Sequence, residues 1–440
     1  MTRNIIFTML CFLTIIGKVN AQERRLITQD EAIARALEDN RLAHMARFDE
    51  EKAIQNRRQT EGMFLPQVSL NYSGMVTNNP LNAFGFNLQQ GSVTQDSFNP
   101  ELLNSPDATH QFSTSLEVKI PILNFDLLYA KKGAKHFENA TRHQRQYIST
   151  QISYNVHYAY TALQMAYRSV EVLDSTLNDM KTISQNVTNF YNEGLVQKSD
   201  VMKAEVEMRS IESALAMARN SVSDASDQLK LAMGEPLGGK DYMVTPLRQE
   251  RSNALKRDAM ISMRDDILAL QAGLDASEAA VKGARAALLP RLNAFGSYQF
   301  NSHKVLGFEK GAYMAGIVLS WNIFDGNNSR ARLRAATAEY SRMQEVYQAK
   351  VDGSRAELYA NVRKLEHLQA EIARREASVE QSAEALRVIT NRHAEGLDTT
   401  TDLLTSRATL LHHQLEQAKA VMNYNIAYYY QQMLTKTSIE

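Results

Sequence analysis

Cysteine and proline are scarce in this sequence of 440 residues. The single cysteine, Cys11, lies in an apolar run near the N-terminus, so we expect neither a disulfide framework nor a lipidated N-terminal cysteine in the rest of the chain. Proline, which interrupts helices, occurs eight times but is absent between Pro121 and Pro236. Two segments can therefore remain helical without a break, one from Phe125 to Glu193 and one from Val201 to Ala232.

Net charge and long apolar runs are also lacking. The 49 Lys and Arg residues balance the 49 Asp and Glu residues, which gives no basic surface for nucleic acid. One apolar run, from Ile5 to Ile16, follows Arg3 and precedes the small-residue end Val19–Ala21. This order predicts a secretory signal peptide over residues 1–21, cleaved before Gln22. An uncleaved membrane anchor is the alternative, although the run is short for a spanning helix of about 20 residues.

Recognisable catalytic and metal-binding motifs are missing as well. No glycine-rich phosphate loop follows a predicted strand, and no Ser, His and Asp occur in a recognisable catalytic context. His412 and His413 are adjacent, and neighbours on a helix point about 100° apart, so the two rings do not converge on one ion. We therefore expect no enzyme activity, no cofactor and no metal site.

Long helices with heptad spacing dominate what is present. Apolar positions recur in steps of three and four from Val156 to Tyr191 and again from Val201 to Ala232. The first helix would extend about 100 Å, so it needs other long helices alongside to bury its apolar stripe. Glu193, Gly194 and Leu195 separate the two helices, which predicts an antiparallel helical hairpin. The helices alone leave a soluble coiled coil equally open.

Four shorter segments alternate apolar and polar residues, which is the period of a β-strand. They cover residues 67–73, 111–122, 292–301 and 313–323. Strands of about ten residues with charges on the polar face match a transmembrane β-barrel that encloses water. A half-buried soluble sheet is the alternative, and the predicted export of the chain favours the barrel.

The connections between these segments differ in composition. Residues 77–110 are rich in Asn, Ser, Gln and Pro and are predicted to form a long surface loop, and residues 301–312 a shorter one. The tips of both loops are expected to face outside. Residues 233–252 carry several glycines and prolines, which predicts a linker on the other side of the membrane that wraps the helices.

Three landmarks occur twice in the same order, which indicates a tandem duplication. They are Leu-Pro at Leu65 and Leu289, a Phe-Asp pair at Phe125 and Phe324, and Glu-Gly-Leu at Glu193 and Glu395. The chain is thereby divided into a first repeat of residues 22–232, the linker of residues 233–252, and a second repeat of residues 253–440.

The twofold order of helix, Leu-Pro, strand pair, Phe-Asp, long helix, Gly-Leu turn and return helix resembles the TolC-type outer-membrane efflux family over essentially the whole mature chain. The resemblance implies an α+β membrane protein. It would form a homotrimer in which four strands per chain build one β-barrel among outer-membrane lipids, continued into a periplasmic α-helical coiled-coil barrel. It also implies a passive duct of a tripartite efflux or type I secretion system, fed by an inner-membrane transporter through a periplasmic adaptor.

The resemblance also implies roles for the two Gly-Leu turns. In that family these turns lie at the periplasmic tip and dock the adaptor, and here they are Gly194 with Leu195 and Gly396 with Leu397. Each glycine is expected to supply the positive φ of a helix-to-helix turn whether or not an adaptor binds.

A periplasmic gate is implied in the same way. Asp402, six residues after Gly396, matches the aspartate of the family's selectivity ring. Thr405 stands where relatives carry a second acidic residue, so we expect a thinner acidic ring. Asp200 is the equivalent residue in the first repeat, where a gate role, a helix cap and a solvated helix position are all open.

Two other functions share part of these features. A periplasmic coiled-coil adaptor would have the helical hairpin but not four alternating strands of about ten residues. A carbohydrate- or phage-binding outer-membrane protein would have the barrel but no need of paired helices about 100 Å long. We therefore favour the duct, and the sequence leaves its cargo open among drugs, metal ions and polypeptides.

Overall fold

The computed structural model describes residues 25–250 and 263–435. The predicted signal peptide and residues 251–262, where the predicted linker meets the second repeat, lie outside the described residues. In chain order the elements are α1 (Gln29–Asp39), α2 (Arg41–Gly62), β1 (Gln67–Thr77), α3 (Pro80–Gln90), α4 (Pro100–Asn104), β2 (Thr109–Leu123), α5 (Phe125–Asn192), α6 (Lys198–Met233), α7 (Asp265–Ala286), β3 (Arg291–Ser302), β4 (Lys310–Ser320), α8 (Asn328–Ala394) and α9 (Thr400–Thr435).

These elements form two compact units, and each unit combines segments from both halves of the chain. The first unit comprises the described residues of Met1–Ala46, Gln146–Arg264 and Gly353–Glu440. The second comprises Arg47–Arg145 and Asp265–Asp352 and contains all four strands. Packing therefore divides the chain differently from the predicted duplication, because each unit takes residues from both predicted repeats.

The second unit contains an antiparallel sheet of four strands in the order β1-β2-β3-β4. Leu70 of β1 pairs with Leu116 of β2, Leu116 pairs with Tyr298 of β3, and Tyr298 pairs with Tyr313 of β4. Directly paired residues point to the same side of a sheet, so these apolar side chains share one face. The polar residues that alternate with them share the other face, as the sequence predicts.

The ends of the strands correct the prediction in two places. β1 continues to Thr77, four residues beyond its predicted end. β4 begins at Lys310 and ends at Ser320, so Trp321 and Ile323 follow the strand instead of lying within it. In β4 the alternation of apolar and polar residues continues beyond Ser320, the last residue of the strand. Where a strand stops pairing depends on its neighbour, so its end cannot be predicted from its own sequence.

The connection between β1 and β2 also differs from the predicted surface loop, because it contains α3 and α4. Asn79 caps α3 by accepting a hydrogen bond from the amide of Asn82, and Pro80 occupies the first turn, where a missing N–H costs nothing. Gly91 ends the helix with φ 69°. The Asn, Pro and Gly residues that favour a loop prediction here thus start and end a helix.

In the first unit, α5 and α6 pack as an antiparallel hairpin. Leu173, Leu177 and Met180 of α5 form one buried cluster with Ile211 and Leu215 of α6. All five are members of the predicted heptad seams, so this part of the helical prediction is confirmed. Among the described residues no helix is long and apolar enough to cross a membrane.

The linker packs against α5 in the same unit. The hydroxyl of Tyr167 donates to the carbonyl of Tyr242 at 2.8 Å, and the side-chain amide of Gln164 donates to the carbonyl of Thr245 at 3.0 Å. Met243 forms a parallel bridge with Leu26. These bonds hold the described part of the linker along α5, and its wrapping of a helical barrel stays a prediction.

Candidate functional site

The turns of the two helical hairpins have the same backbone structure. Gly194 has φ 79° and Gly396 has φ 72°, a conformation that residues with a side chain rarely adopt. The amide of Leu195 donates to the carbonyl of Phe190 at 2.8 Å, and the amide of Leu397 makes the equivalent bond at 2.9 Å. Each helix therefore ends in a Schellman motif, and the expected positive φ of both glycines is confirmed.

An exposed leucine follows the glycine in each turn. Leu195 is 67% exposed and Leu397 is 65% exposed. A Cβ added to Gly194 or Gly396 would meet no atom within 4 Å, so both tips are open on the outside. Each hairpin tip thus has an exposed leucine directly after a glycine whose positive φ other residues rarely adopt. The docking of an adaptor at these tips stays a prediction.

Asp402 forms a reciprocal cap at the start of α9. Its carboxylate accepts from the amide of Thr399 at 3.1 Å and from the hydroxyl of Thr399 at 2.6 Å. The Thr399 hydroxyl in turn accepts from the amide of Asp402 at 3.1 Å. These hydrogen bonds lower the pKa of the Asp402 carboxyl and keep it ionised.

Asp200 takes the same position at the start of α6. Its carboxylate accepts from the amide of Gln197 at 3.3 Å and from the ammonium of Lys203 at 3.2 Å. Lys203 also donates to the hydroxyl of Thr401 at 3.2 Å, which joins the starts of the two return helices. Both aspartates are therefore helix-capping carboxylates, and Asp200 has a cation beside it. The gate role of either residue stays a prediction.

Arg407 was not foreseen as a functional residue, although it lies close to the predicted gate. Its guanidinium is buried and donates to the hydroxyl of Thr176 at 2.8 Å, and it forms an ion pair with Asp179 at 2.8 Å. Burial lowers the pKa of Arg407. The residue ties α9 of one hairpin to α5 of the other. In the sequence it is a charged residue between Leu403 and Leu410, which lie seven residues apart on one face of α9 and are both buried.

His393 makes a second contact between the hairpins, nearer the tips. Its ring is buried, lies 5.7 Å from the ring of Phe190, and has Nε2 at 3.2 Å from the Thr400 hydroxyl. Burial lowers the pKa of His393, which favours the neutral ring at neutral pH. In residues 25–250 and 263–435, no group of three His, Cys, Asp or Glu side chains could hold a metal ion.

Comparison with curated proteins finds relatives among outer membrane proteins. The chain is 23% identical over 288 residues to the pyoverdine export outer membrane protein OpmQ of Pseudomonas putida, an alignment that covers 56% of this chain and 61% of OpmQ. The chain thus spans less than two thirds of the curated relatives that it matches.

Solved structures resemble the fold over nearly the whole chain. The CmeC outer membrane channel of Campylobacter jejuni has a TM-score of 0.82 at 16% identity, covering 92% of this chain and 85% of CmeC. The outer membrane protein VceC of Vibrio cholerae has a TM-score of 0.78 at 19% identity, covering 94% of this chain and 97% of VceC. The predicted fold class is confirmed by these likenesses.

The family model described as "Outer membrane efflux protein" matches residues 32–235 and 258–429. The predicted location, the outer membrane with a helical tunnel in the periplasm, is that of this family. Because the match takes in most of its length, this chain belongs to the outer membrane efflux protein family.

Proposed function

We propose that three copies of this chain form a passive export duct through the outer membrane, fed by an inner-membrane transporter through a periplasmic adaptor. The observation that carries this proposal is the open sheet. In the described part of the chain, β1 has a partner only in β2, and β4 only in β3. Unpaired backbone groups are costly in hydrocarbon, so the sheet needs strands of other copies to close. The number three comes from the family resemblance.

The two faces of the sheet support a barrel wall. Leu70 on β1 and Ile317 on β4 belong to the apolar face and are largely exposed in the single chain, which suits contact with lipid. Glu117 and Lys119 of β2 lie on the opposite face, which suits a water-filled lumen. A periplasmic coiled-coil adaptor, the alternative function, would have no use for such a sheet.

The hairpin tips support adaptor docking. Gly194 and Gly396 hold the same turn, and Leu195 and Leu397 project from it as apolar contacts for another protein. We propose that these four residues form the docking surface. A transporter would then deliver substrate through the adaptor without any energy-consuming step in the duct itself.

The starts of the return helices support a gate. Asp402 is ionised, lies six residues inside Gly396, and shares a shallow groove with Thr405. We propose that its symmetry-related copies form the selectivity ring, with Asp200 as a weaker contributor because Lys203 partly neutralises it.

The cargo is a separate question from the duct. OpmQ of Pseudomonas putida is named for pyoverdine export. For this chain we propose export as the activity, with the substrate set by the transporter that it serves.

Mass measurement of the intact complex in detergent tests the proposal. We expect a complex of three chains, extracted from the outer-membrane fraction, that dissociates to single chains on heating. A water-soluble monomer without any heat-modifiable oligomer would contradict both the barrel and the export duct.

A further inference from the structure

The connection between β1 and β2 packs on the polar face of the sheet. Gln90, the last residue of α3, is buried and donates to the side-chain oxygen of Gln111 at 2.6 Å and to the carbonyl of His110 at 2.7 Å. Gln111 lies on the same face of β2 as Glu117 and Lys119, since all three are an even number of residues apart. The end of α3 is therefore fixed to the face that would line the lumen.

The hydrogen bonds continue across the sheet from β2 to β3. The side-chain amide of Gln111 donates to Asn301 at 2.7 Å, and that of Gln299 donates to Asn301 at 2.8 Å and to Ser113 at 2.7 Å. Gln111 is only 1% exposed, although its place on a lumen face predicts contact with water. Gln111 and Asn301 are both buried in the single chain, and Gln89 and Gln90 of α3 both bond Gln111, so α3 covers this end of the amide cluster.

Gly91, which ends α3, also lies next to β4. A Cβ placed on Gly91 would lie 3.5 Å from the Lys310 side chain of β4. Lys310 pairs with Asn301, so both point to the polar face. The helix and its cap thus cross β2, β3 and β4 at the end of the sheet away from α2 and α5.

The opposite side of α3 is apolar and uncovered. Ala83 and Gln90 are buried, while Leu81 and Leu88 are exposed. Residues seven apart share a face of a helix, and residues two apart lie roughly 200° from each other. The two leucines therefore point away from the sheet, toward the axis of any barrel that the sheet helps to close.

We infer that residues 78–108 form an outer constriction of the duct, with α3 held across the lumen by Gln90 and the leucines Leu81 and Leu88 facing its axis. This inference rests on the proposed function. Apolar constrictions exclude hydrated solutes by dewetting, so the outer mouth would resist entry of polar molecules from outside. The segment would then set which solutes can pass the mouth, independently of the periplasmic gate.

The pairing register of β1 and β2 allows residues 78–108 to be deleted without changing the sheet. Thr77 and Thr109 are direct partners, so a two-residue Asn-Gly turn in place of residues 78–108 would close β1 and β2 without disturbing their pairing. Gln90→Ala is a milder variant that removes the two hydrogen bonds donated by Gln90 and leaves the one that Gln111 donates to Gln89. Asn82→Ala, at an exposed position on the same helix, is its matched control.

Access from outside can be measured with single cysteines on intact cells. Ser115→Cys places a thiol on the polar face of β2, four residues or roughly 14 Å further along the strand from the outer end than Gln111, at about 3.4 Å per residue. Lys304→Cys places one in the exposed connection between β3 and β4. The chain's own cysteine, Cys11, lies in the predicted signal peptide. The probe is a polyethylene-glycol maleimide that cannot cross the membrane.

We expect Lys304→Cys to react in every background. Ser115→Cys should react slowly in the otherwise unchanged chain and several-fold faster in the Asn-Gly and Gln90→Ala variants, with the Asn82→Ala rate unchanged. Equal rates for Ser115→Cys with and without residues 78–108 would overturn the constriction. No reaction of Lys304→Cys in an assembled oligomer would instead overturn the membrane orientation, and with it the proposed function.

Discussion

Asp402 and Asp200 cap their helices in the same way but have different neighbours. Asp200 accepts from Lys203, whereas the hydrogen bonds that lower the pKa of Asp402 come from the uncharged Thr399. A ring of Asp402 carboxylates would attract cations, and replacement by asparagine removes the charge while keeping an acceptor for the cap.

We therefore predict that Asp402→Asn lowers cation preference and block by multivalent cations in single-channel recordings. The effect should be modest because Thr405 adds no second acidic layer, and Asp200→Asn should change selectivity less. Salt should weaken both effects, as it screens exposed charges. Unchanged ion selectivity in Asp402→Asn would show that the residue serves only as a helix cap.

His157 is buried in the first unit, stacked on the ring of Tyr429 with centroids 3.9 Å apart and hydrogen-bonded to Gln29 at 2.5 Å. Burial lowers the pKa of His157 from 6.5 to about 4. Between these two values the unfolded chain binds a proton that the folded chain does not. Stability should therefore be complete above pH 6.5 and fall as the pH is lowered toward 4, by about 3 kcal/mol per subunit.

Denaturation midpoints of the detergent-solubilised protein across this pH range test the prediction. His157→Gln should flatten the dependence, because glutamine does not titrate. His412→Gln, at an exposed histidine, should leave it unchanged. The same acid dependence in His157→Gln and the parent would assign the effect to other groups.

At the scale of elements, each hairpin tip combines a glycine at positive φ with free space around it. A side chain at Gly194 or Gly396 would meet no neighbour, so substitution costs only the positive φ, roughly 1 kcal/mol or more for a β-branched residue. That cost is confined to the turn and should leave the sheet intact.

We predict that Gly194→Val and Gly396→Val reduce transporter-dependent export while the protein still inserts into the outer membrane, and that the double variant loses more. Gly353→Val is the control, because Gly353 lies inside α8 with equally free space and no positive φ. Export assays on cells with matched amounts of membrane-inserted protein decide it. Full export by the double variant would place adaptor docking elsewhere.

At the scale of the whole molecule, the two faces of β1 should respond oppositely to charge. Leu70 and Asn71 are neighbours, but Leu70 shares the apolar face with Leu116, and Asn71 shares the polar face with Ser115. An arginine near the bilayer midplane on a lipid-facing strand costs about 2–4 kcal/mol, whereas one in a watery lumen costs little.

Leu70→Arg should therefore reduce the amount of heat-modifiable oligomer in the outer-membrane fraction, and Asn71→Arg should assemble as the parent does. Gel analysis of unheated and heated membrane fractions compares the two variants directly. Equal assembly of both would mean that the apolar face does not meet lipid.

Local periodicity was enough to determine the long helices, the strand faces and the turn glycines, but not the short helices α3 and α4. The seam residues Leu177 and Ile211 and the alternating Leu70 and Leu116 lie where the sequence predicts, because a helix or strand repeats every few residues. Gly194 is likewise determined locally, since its φ depends on the turn alone.

The outer segment and the inter-hairpin contacts were decided only by the tertiary structure. Gln111 meets Asn301, and Arg407 meets Thr176, across sequence separations that no local pattern encodes. Residues 78–108 carried the signals of a helix, but only the register of β2 and β3 shows that this helix lies on the polar face. Such contacts form when distant polar groups must find partners as they are buried, and one strand or helix does not specify which partners it will have.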